Sequence, residues 1–241
     1  MVILQKIRQH ILNVIKKLIL KIQKMLCNEV LVFGDSHVAI FNNFKMRKAF
    51  PQYYFNVVSV GAATVSGLEN PNSKTQALPI FKQNLKTSNA NTIIVSLGEV
   101  DTGFVIWYRS EKYNTEVSEM LDNALRNYRD FLIFLSRDHR VICLSAPLPT
   151  IRDGQDWGDV ANLRKKVKAS QMDRTKLTIY FNESMEGFCL QNKIEYLDFD
   201  SESLGKNGLV HAGLINNNIN DHHYATEAYI EMIIPKLKRY I

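Results

Sequence analysis

The chain has 241 residues, of which 46% are hydrophobic and 22% charged. That balance is ordinary for a soluble globule and fits one α/β domain with a sizeable core. The net charge is +6, but Lys6, Arg8, Lys16, Lys17, Lys21 and Lys24 against Glu29 put +5 of it in residues 1–29; the near-neutral remainder lacks the charge that non-specific nucleic-acid binding needs.

Residues 1–28 read as a basic amphipathic helix. Ile3, Ile7, Ile11, Val14, Ile15, Leu18, Ile22, Met25 and Leu26 recur at steps of three and four, with lysines opposite. Those lysines interrupt the segment well before the ~20 apolar residues a bilayer crossing needs. It also lacks the unbroken apolar core and small-residue cleavage site of a signal peptide. Two places suit its apolar stripe: the plane of an anionic membrane surface, or a packed position against the domain or a second subunit. Cys27, Cys143 and Cys189 are odd in number and far apart, so they imply neither a disulfide framework nor a metal site. The expected location is the cytoplasm, peripheral on the inner membrane face if the helix lies on lipid.

From residue 29 to 241, strands and helices alternate. Apolar runs suited to buried parallel strands lie at Val30–Phe33, Tyr54–Val60, Thr92–Leu97, Val141–Ser145 and Ile194–Phe199. Helices are expected over Val38–Phe50, Gln76–Lys86, Asn114–Arg137 with Asn114 as its cap, an interrupted stretch from Asp159 to Gln191, and Thr226–Tyr240. Five strands with intervening helices predict a flavodoxin-like, doubly wound parallel sheet.

The chemistry gathers where strands end. Val30–Phe33 stops at Gly34-Asp35-Ser36-His37, so a strand gives way to a helical pattern with a serine at the junction. A helix start there offers free backbone N–H groups beside an exposed hydroxyl, the pairing an activated serine needs; the plain alternative is a helix N-cap. Asn220-Asp221-His222-His223 precedes the last helix, at the same carboxyl edge of the sheet. After the third strand runs Gly98-Glu99-Val100-Asp101, read as a loop reaching Arg109. In it Trp107 and Tyr108 suit stacking on a sugar face and Arg109 suits a carboxylate or phosphate, against packing at a helix start. Glu99 and Asp101 suit acid/base work or capping of the next turn. The long loop Ala146–Trp157 has the length of a binding loop or lid; its Asp153 and Asp156 lack the further ligands a cation needs.

These blocks resemble the SGNH, or GDSL-like, hydrolase superfamily over residues 29–241. Gly34-Asp35-Ser36 matches the nucleophile block, Gly61 the oxyanion-hole glycine, Gly98-Glu99-Val100-Asp101 the third block and His223 the last, all in the right order. The resemblance implies Ser36 as nucleophile, His223 as base, and the Ser36 and Gly61 N–H groups as oxyanion donors. Two positions depart from the pattern: Val100 stands where the superfamily carries a donating asparagine, and Asn220 where it carries the aspartate that orients the histidine. Asp221 is the candidate replacement for that aspartate. Asp35, His37, Glu99, Asp101, Trp107, Tyr108, Arg109, Asn220 and His222 are the candidate pocket residues. The variant blocks look like a branch linked to bacterial surface-polysaccharide clusters. The expected activity is a serine esterase that removes an acyl group, acetyl foremost, from a carbohydrate or related small ester, with no cofactor and no metal. The alternatives are an O-acyltransferase acting on a surface glycan, a membrane-associated glycan-binding module with weakened chemistry, and an unrelated flavodoxin-like protein.

Overall fold

The computed structural model describes residues 26–154, 167–218 and 220–241. The expected N-terminal amphipathic helix therefore lies outside the described residues, apart from its last positions.

Five strands form one parallel sheet: β1 (Asn28–Gly34), β2 (Tyr53–Ser59), β3 (Thr92–Ser96), β4 (Arg140–Leu144) and β5 (Glu195–Leu197), in the order β2-β1-β3-β4-β5. Val32 sits opposite Val57 on one side and Ile94 on the other. This is the flavodoxin-like order expected from the alternation of elements. The chain crosses to one side of β1 for β2 and to the other for β3, which opens a crevice at the carboxyl ends of β1 and β3.

Both faces of the sheet are covered, which is why its strands read as continuous apolar runs. Leu31, Phe33, Ile93, Val95, Val141 and Cys143 point to one face, under the helices Ala77–Thr87 (α2), Val117–Ser136 (α4) and Gln171–Gln191 (α5). Val30, Val32, Ile94, Ile142 and Leu144 point to the other, under a 3-10 helix (Ser36–Asn42), α1 (Phe44–Ala49) and the last helix, α7 (Thr226–Leu237), which follows the short α6 (Asp200–Ser203). Alternate residues of one strand thus anchor opposite layers.

Three local expectations are corrected. The helix expected over Val38–Phe50 breaks at Asn43, whose extended backbone separates the 3-10 helix from α1 and whose side chain accepts a hydrogen bond from Lys45 N–H at 2.8 Å. Asn114 does not open the long helix; it adopts a left-handed conformation (φ 50°) and closes the helix Ile106–Tyr113 (α3), leaving Glu116 at the start of α4. The segment after β3 is not a loop: a π-helical turn over Asp101–Val105 runs directly into α3.

Candidate active site

Ser36 owes its position to a close backbone approach two residues earlier. A Cβ at Gly34 would meet the Ser96 carbonyl oxygen and a Val38 methyl at 2.3 Å, so only glycine lets β1 end against β3 while the chain turns into the 3-10 helix. Asp35 caps that helix: its buried carboxylate accepts the backbone N–H of His37 at 2.8 Å, and its Oδ1 lies 2.9 Å from His37 Nδ1. Ser59 Oγ, at the end of β2, donates to the Asp35 carbonyl at 2.9 Å and ties the turn to the sheet. Ser36 is left at the first helical position, half-buried.

The segment before α7 brings the histidine to it. His223 Nε2 lies 2.8 Å from Ser36 Oγ, and His223 Nδ1 lies 2.6 Å from Asp221 Oδ1. The same carboxylate oxygen accepts the His223 backbone N–H at 3.0 Å, and Asn216 Nδ2 donates to the other oxygen at 3.0 Å. Partial burial pushes the Asp221 carboxyl up, but the hydrogen bonds from His223 outweigh it and hold the carboxyl below its usual range. Asp221 is therefore an acceptor at neutral pH. That fixes the His223 proton on Nδ1 and leaves Nε2 to accept from the Ser36 hydroxyl.

Asn220 takes no part in this arrangement. It is exposed, and its N–H donates to Asn218 Oδ1 at 3.1 Å within the asparagine-rich turn. The His222 ring packs against both other rings, with centroids 4.2 Å from His223 and 5.8 Å from His37. Its carbonyl accepts from Thr150 Oγ1.

A cavity of about 390 Å³ opens beside the serine, lined by Ser36, His37, Ala39, Ile40, Asn42, Asn43, Asp221, His223, Tyr224, Thr226 and Tyr229. Its wall is formed by the 3-10 helix and the start of α7, two elements that carried no pocket candidate beyond His37. Tyr224 is fixed there because its hydroxyl accepts the Leu148 N–H at 2.7 Å. Asn216 and Tyr224 carry no signal in the sequence, because nothing in an asparagine-rich turn or in an aromatic residue beside a helix start marks it as site-forming before the fold is known.

Trp107, Tyr108 and Arg109 are not among the residues lining this cavity. As α3 residues they point elsewhere: Trp107 Nε1 donates to the Thr102 carbonyl at 2.7 Å, and Tyr108 stacks on Phe104 at 5.5 Å. Arg109 lines a second cavity of about 370 Å³ with Ser66, Asn70, Tyr113 and Asn123. Glu99 and Asp101 are buried. Asp101 acts as a staple, accepting from Val65 N–H (2.8 Å), Ser66 N–H (3.1 Å) and Ser66 Oγ (2.6 Å) on the segment that follows Gly61. Burial pushes its carboxyl up to about 6, against the pull of those hydrogen bonds and of Arg109, so it is ionised at neutral pH. Gly61 is exposed after β2, with nothing within 4 Å of where a side chain would start, and it is not among the residues lining the cavity at Ser36. Gly98, two residues past β3, has φ +121° with Phe181 packed over it, leaving no room for a Cβ. Val100, half-buried two residues on, offers no side-chain donor.

No family model and no curated protein matches the sequence. Solved structures do match the fold. An aryl esterase of M. smegmatis aligns with a TM-score of 0.58 at 10% identity, covering 89% of this chain and 100% of that one. A carbohydrate acetylesterase of Sinorhizobium meliloti gives 0.56 at 11%, covering 89% and 100%. A Bacteroides fragilis protein assigned as an acylhydrolase gives 0.60 at 14%, covering 88% and 85%. The chain shares its fold with these esterases and this acylhydrolase.

Proposed function

We propose that this protein is a serine esterase that removes an acyl group, acetyl foremost, from a carbohydrate or a related small ester. The observation that carries the reading is the run of contacts from Asp221 through His223 to Ser36 at 2.6 and 2.8 Å, open to a cavity. The acetylesterase among the structures of similar fold supports the choice of substrate class.

In this reading Ser36 Oγ attacks the ester carbonyl as its proton passes to His223 Nε2. Asp221 stabilises the imidazolium and keeps its ring in place. The Ser36 and Gly61 N–H groups stabilise the tetrahedral oxyanion. His223 then returns the proton to the leaving alcohol, and water repeats the sequence on the acyl-enzyme to release the acid. Val100 removes the side-chain donor the superfamily supplies, and loss of one such donor costs ~10²–10³ in turnover. The mechanism needs no cofactor. A place on the inner membrane face, and a link to polysaccharide synthesis, rest on the sequence of residues 1–28 and on the variant blocks.

The test is labelling by a fluorophosphonate, read by mass spectrometry, together with hydrolysis of p-nitrophenyl acetate and of acetylated sugars. Ser36 is the expected adduct site, and Ser36→Ala is expected to lose both label and turnover. Protein that neither labels nor hydrolyses any of these esters overturns the reading. Acyl transfer to an added glycan in preference to water would instead identify the O-acyltransferase.

A further inference from the structure

Three histidines converge at the serine: His37, His222 and His223 each offer a ring nitrogen, and the three nitrogens lie within 4.8 Å of one another. His37 is far from the other two in sequence, so no ligand spacing announces the group. We propose that these three side chains form a transition-metal site, best suited to Zn²⁺, whose occupation silences the Ser36 centre. The silencing rests on the esterase reading above; the binding itself does not.

The donor set and its surroundings both point this way. Three imidazoles with one position left to solvent is a common four-coordinate zinc arrangement, and imidazole favours zinc, copper and nickel over magnesium or calcium. Metal-binding histidines almost always give their other ring N–H to a carboxylate or carbonyl. Two of these three already do so: Asp35 Oδ1 holds His37 Nδ1 at 2.9 Å, and Asp221 Oδ1 holds His223 Nδ1 at 2.6 Å. On both rings the nitrogen on the side away from the carboxylate is Nε2. Nitrogens at 2.0–2.1 Å around a tetrahedral ion are roughly 3.4 Å apart, so the rings must draw in by up to about 1.4 Å. Half-exposed His222 can make that adjustment, whereas buried His37 is held by its carboxylate.

The consequence follows from which lone pair is used. His223 Nε2 is the atom that faces Ser36 Oγ at 2.8 Å and takes its proton in the proposed reaction. A metal on Nε2 occupies that lone pair, so the hydroxyl loses its base. Chelation of the ion returns it.

The test uses the full chain without an affinity tag, stripped of metal. Co²⁺ titration is expected to give the intense visible absorption of a four-coordinate ion at one equivalent, and Zn²⁺ is expected to displace it. His37→Ala and His222→Gln are each expected to lose the band, and Asp35→Asn to weaken Zn²⁺ binding ~10–100-fold. His222→Gln alters a half-exposed side chain, so it decides the matter even if the buried variants fail to fold. Zn²⁺ is expected to suppress fluorophosphonate labelling of Ser36 reversibly, and His222→Gln to need at least ~10-fold more Zn²⁺ for half-suppression of its own metal-free labelling, by the same affinity loss. A Co²⁺ band unchanged in His222→Gln, or no band at millimolar Co²⁺, overturns the site. A band in a protein that never labels or hydrolyses esters upholds the site and counts against the esterase reading instead.

Discussion

Asp221 and His223 stand two residues apart on one loop, and a single carboxylate oxygen of Asp221 accepts both the backbone N–H (3.0 Å) and the ring Nδ1–H (2.6 Å) of His223. The loop therefore closes on itself around the imidazole. An aspartate one residue earlier in the chain would serve such a turn less directly, because a side chain accepting from the backbone two residues on is a natural Asx geometry. The preceding residue, Asn220, belongs to a different turn.

Asp221→Asn is accordingly expected to lower turnover by about 10⁴, the size seen when the orienting aspartate of a serine protease becomes an amide and favours the wrong tautomer. Asn220→Ala is expected to change turnover by less than about threefold, since rim changes without a transition-state contact leave the barrier almost unaltered. Steady-state rates with p-nitrophenyl acetate check both. Equal, small effects would mean that Asp221 does not orient the base.

Asn216 should act through Asp221. Its amide reaches the carboxylate oxygen that His223 does not use, at 3.0 Å. Asn216→Ala is expected to reduce turnover by about tenfold, comparable to losing a supporting partner behind a working side chain. The loss should fall on kcat with KM little changed, because Asn216 is not among the residues lining the cavity. A KM effect alone would place it in substrate binding.

The strand order, the layers and the positions of Ser36 and His223 were all legible in the sequence, for one reason. Strands buried on both faces are continuous apolar runs, and the residues just after them must lie at the carboxyl edge. Asp221 was legible as the nearest acid to His223. What could not be read were choices made by tertiary contact. Asp101 looked like an acid in a loop until the Val65–Ser66 segment came to rest on it. Trp107, Tyr108 and Arg109 looked available to Ser36 until a π-helical turn continued into α3 and turned them aside. The cavity wall of Tyr224 and Tyr229 depends on how the start of α7 and the residues before it come to face the 3-10 helix across the cavity, which no local pattern encodes.

Asp101 gives a stability prediction. Replacing it with alanine strands the N–H groups of Val65 and Ser66, at a cost of ~1–3 kcal/mol for a buried donor left without a partner. Asp101→Ala should lower the unfolding free energy read from urea titration by that amount and speed hydrogen exchange of those two amides above all others. Uniform acceleration across the sheet, with no excess at Val65 and Ser66, would show that Asp101 does not staple this segment.

Asp200 gives a pH prediction. Burial pushes its carboxyl up to about 7, helped by the nearby charge of Asp198, while a hydrogen bond from Asn182 Nδ2 at 2.8 Å pulls the other way. The folded state thus holds this proton more tightly than the unfolded chain, where an aspartate titrates near 3.9. Its contribution is fully present below about pH 4 and is lost as the pH rises through about 7. Asparagine keeps the acceptor for Asn182 without the charge. Asp200→Asn should match the parent near pH 4 and exceed it by roughly 2–4 kcal/mol at pH 9, partial exposure included. Urea unfolding at the two pH values checks this, and a difference that does not grow with pH would overturn it.

The last prediction concerns the segment ahead of β1. Lys6, Arg8, Lys16, Lys17, Lys21 and Lys24 accompany an aliphatic stripe from Ile3 to Leu26. Basic residues close to an anionic leaflet contribute ~1 kcal/mol each, an attraction that salt screens, and insertion of the aliphatic side chains adds a part that salt does not weaken. The full chain should therefore sediment with vesicles containing phosphatidylserine at low ionic strength, and less so at ~0.5 M salt, where the screening length falls well below 10 Å. Removing residues 1–25 leaves β1, which begins at Asn28, and its pairing with β2 untouched. The shortened protein should stay folded and keep its Ser36 labelling while losing vesicle binding. If it unfolds or aggregates, the stripe is a packing surface of the protein and the membrane reading fails.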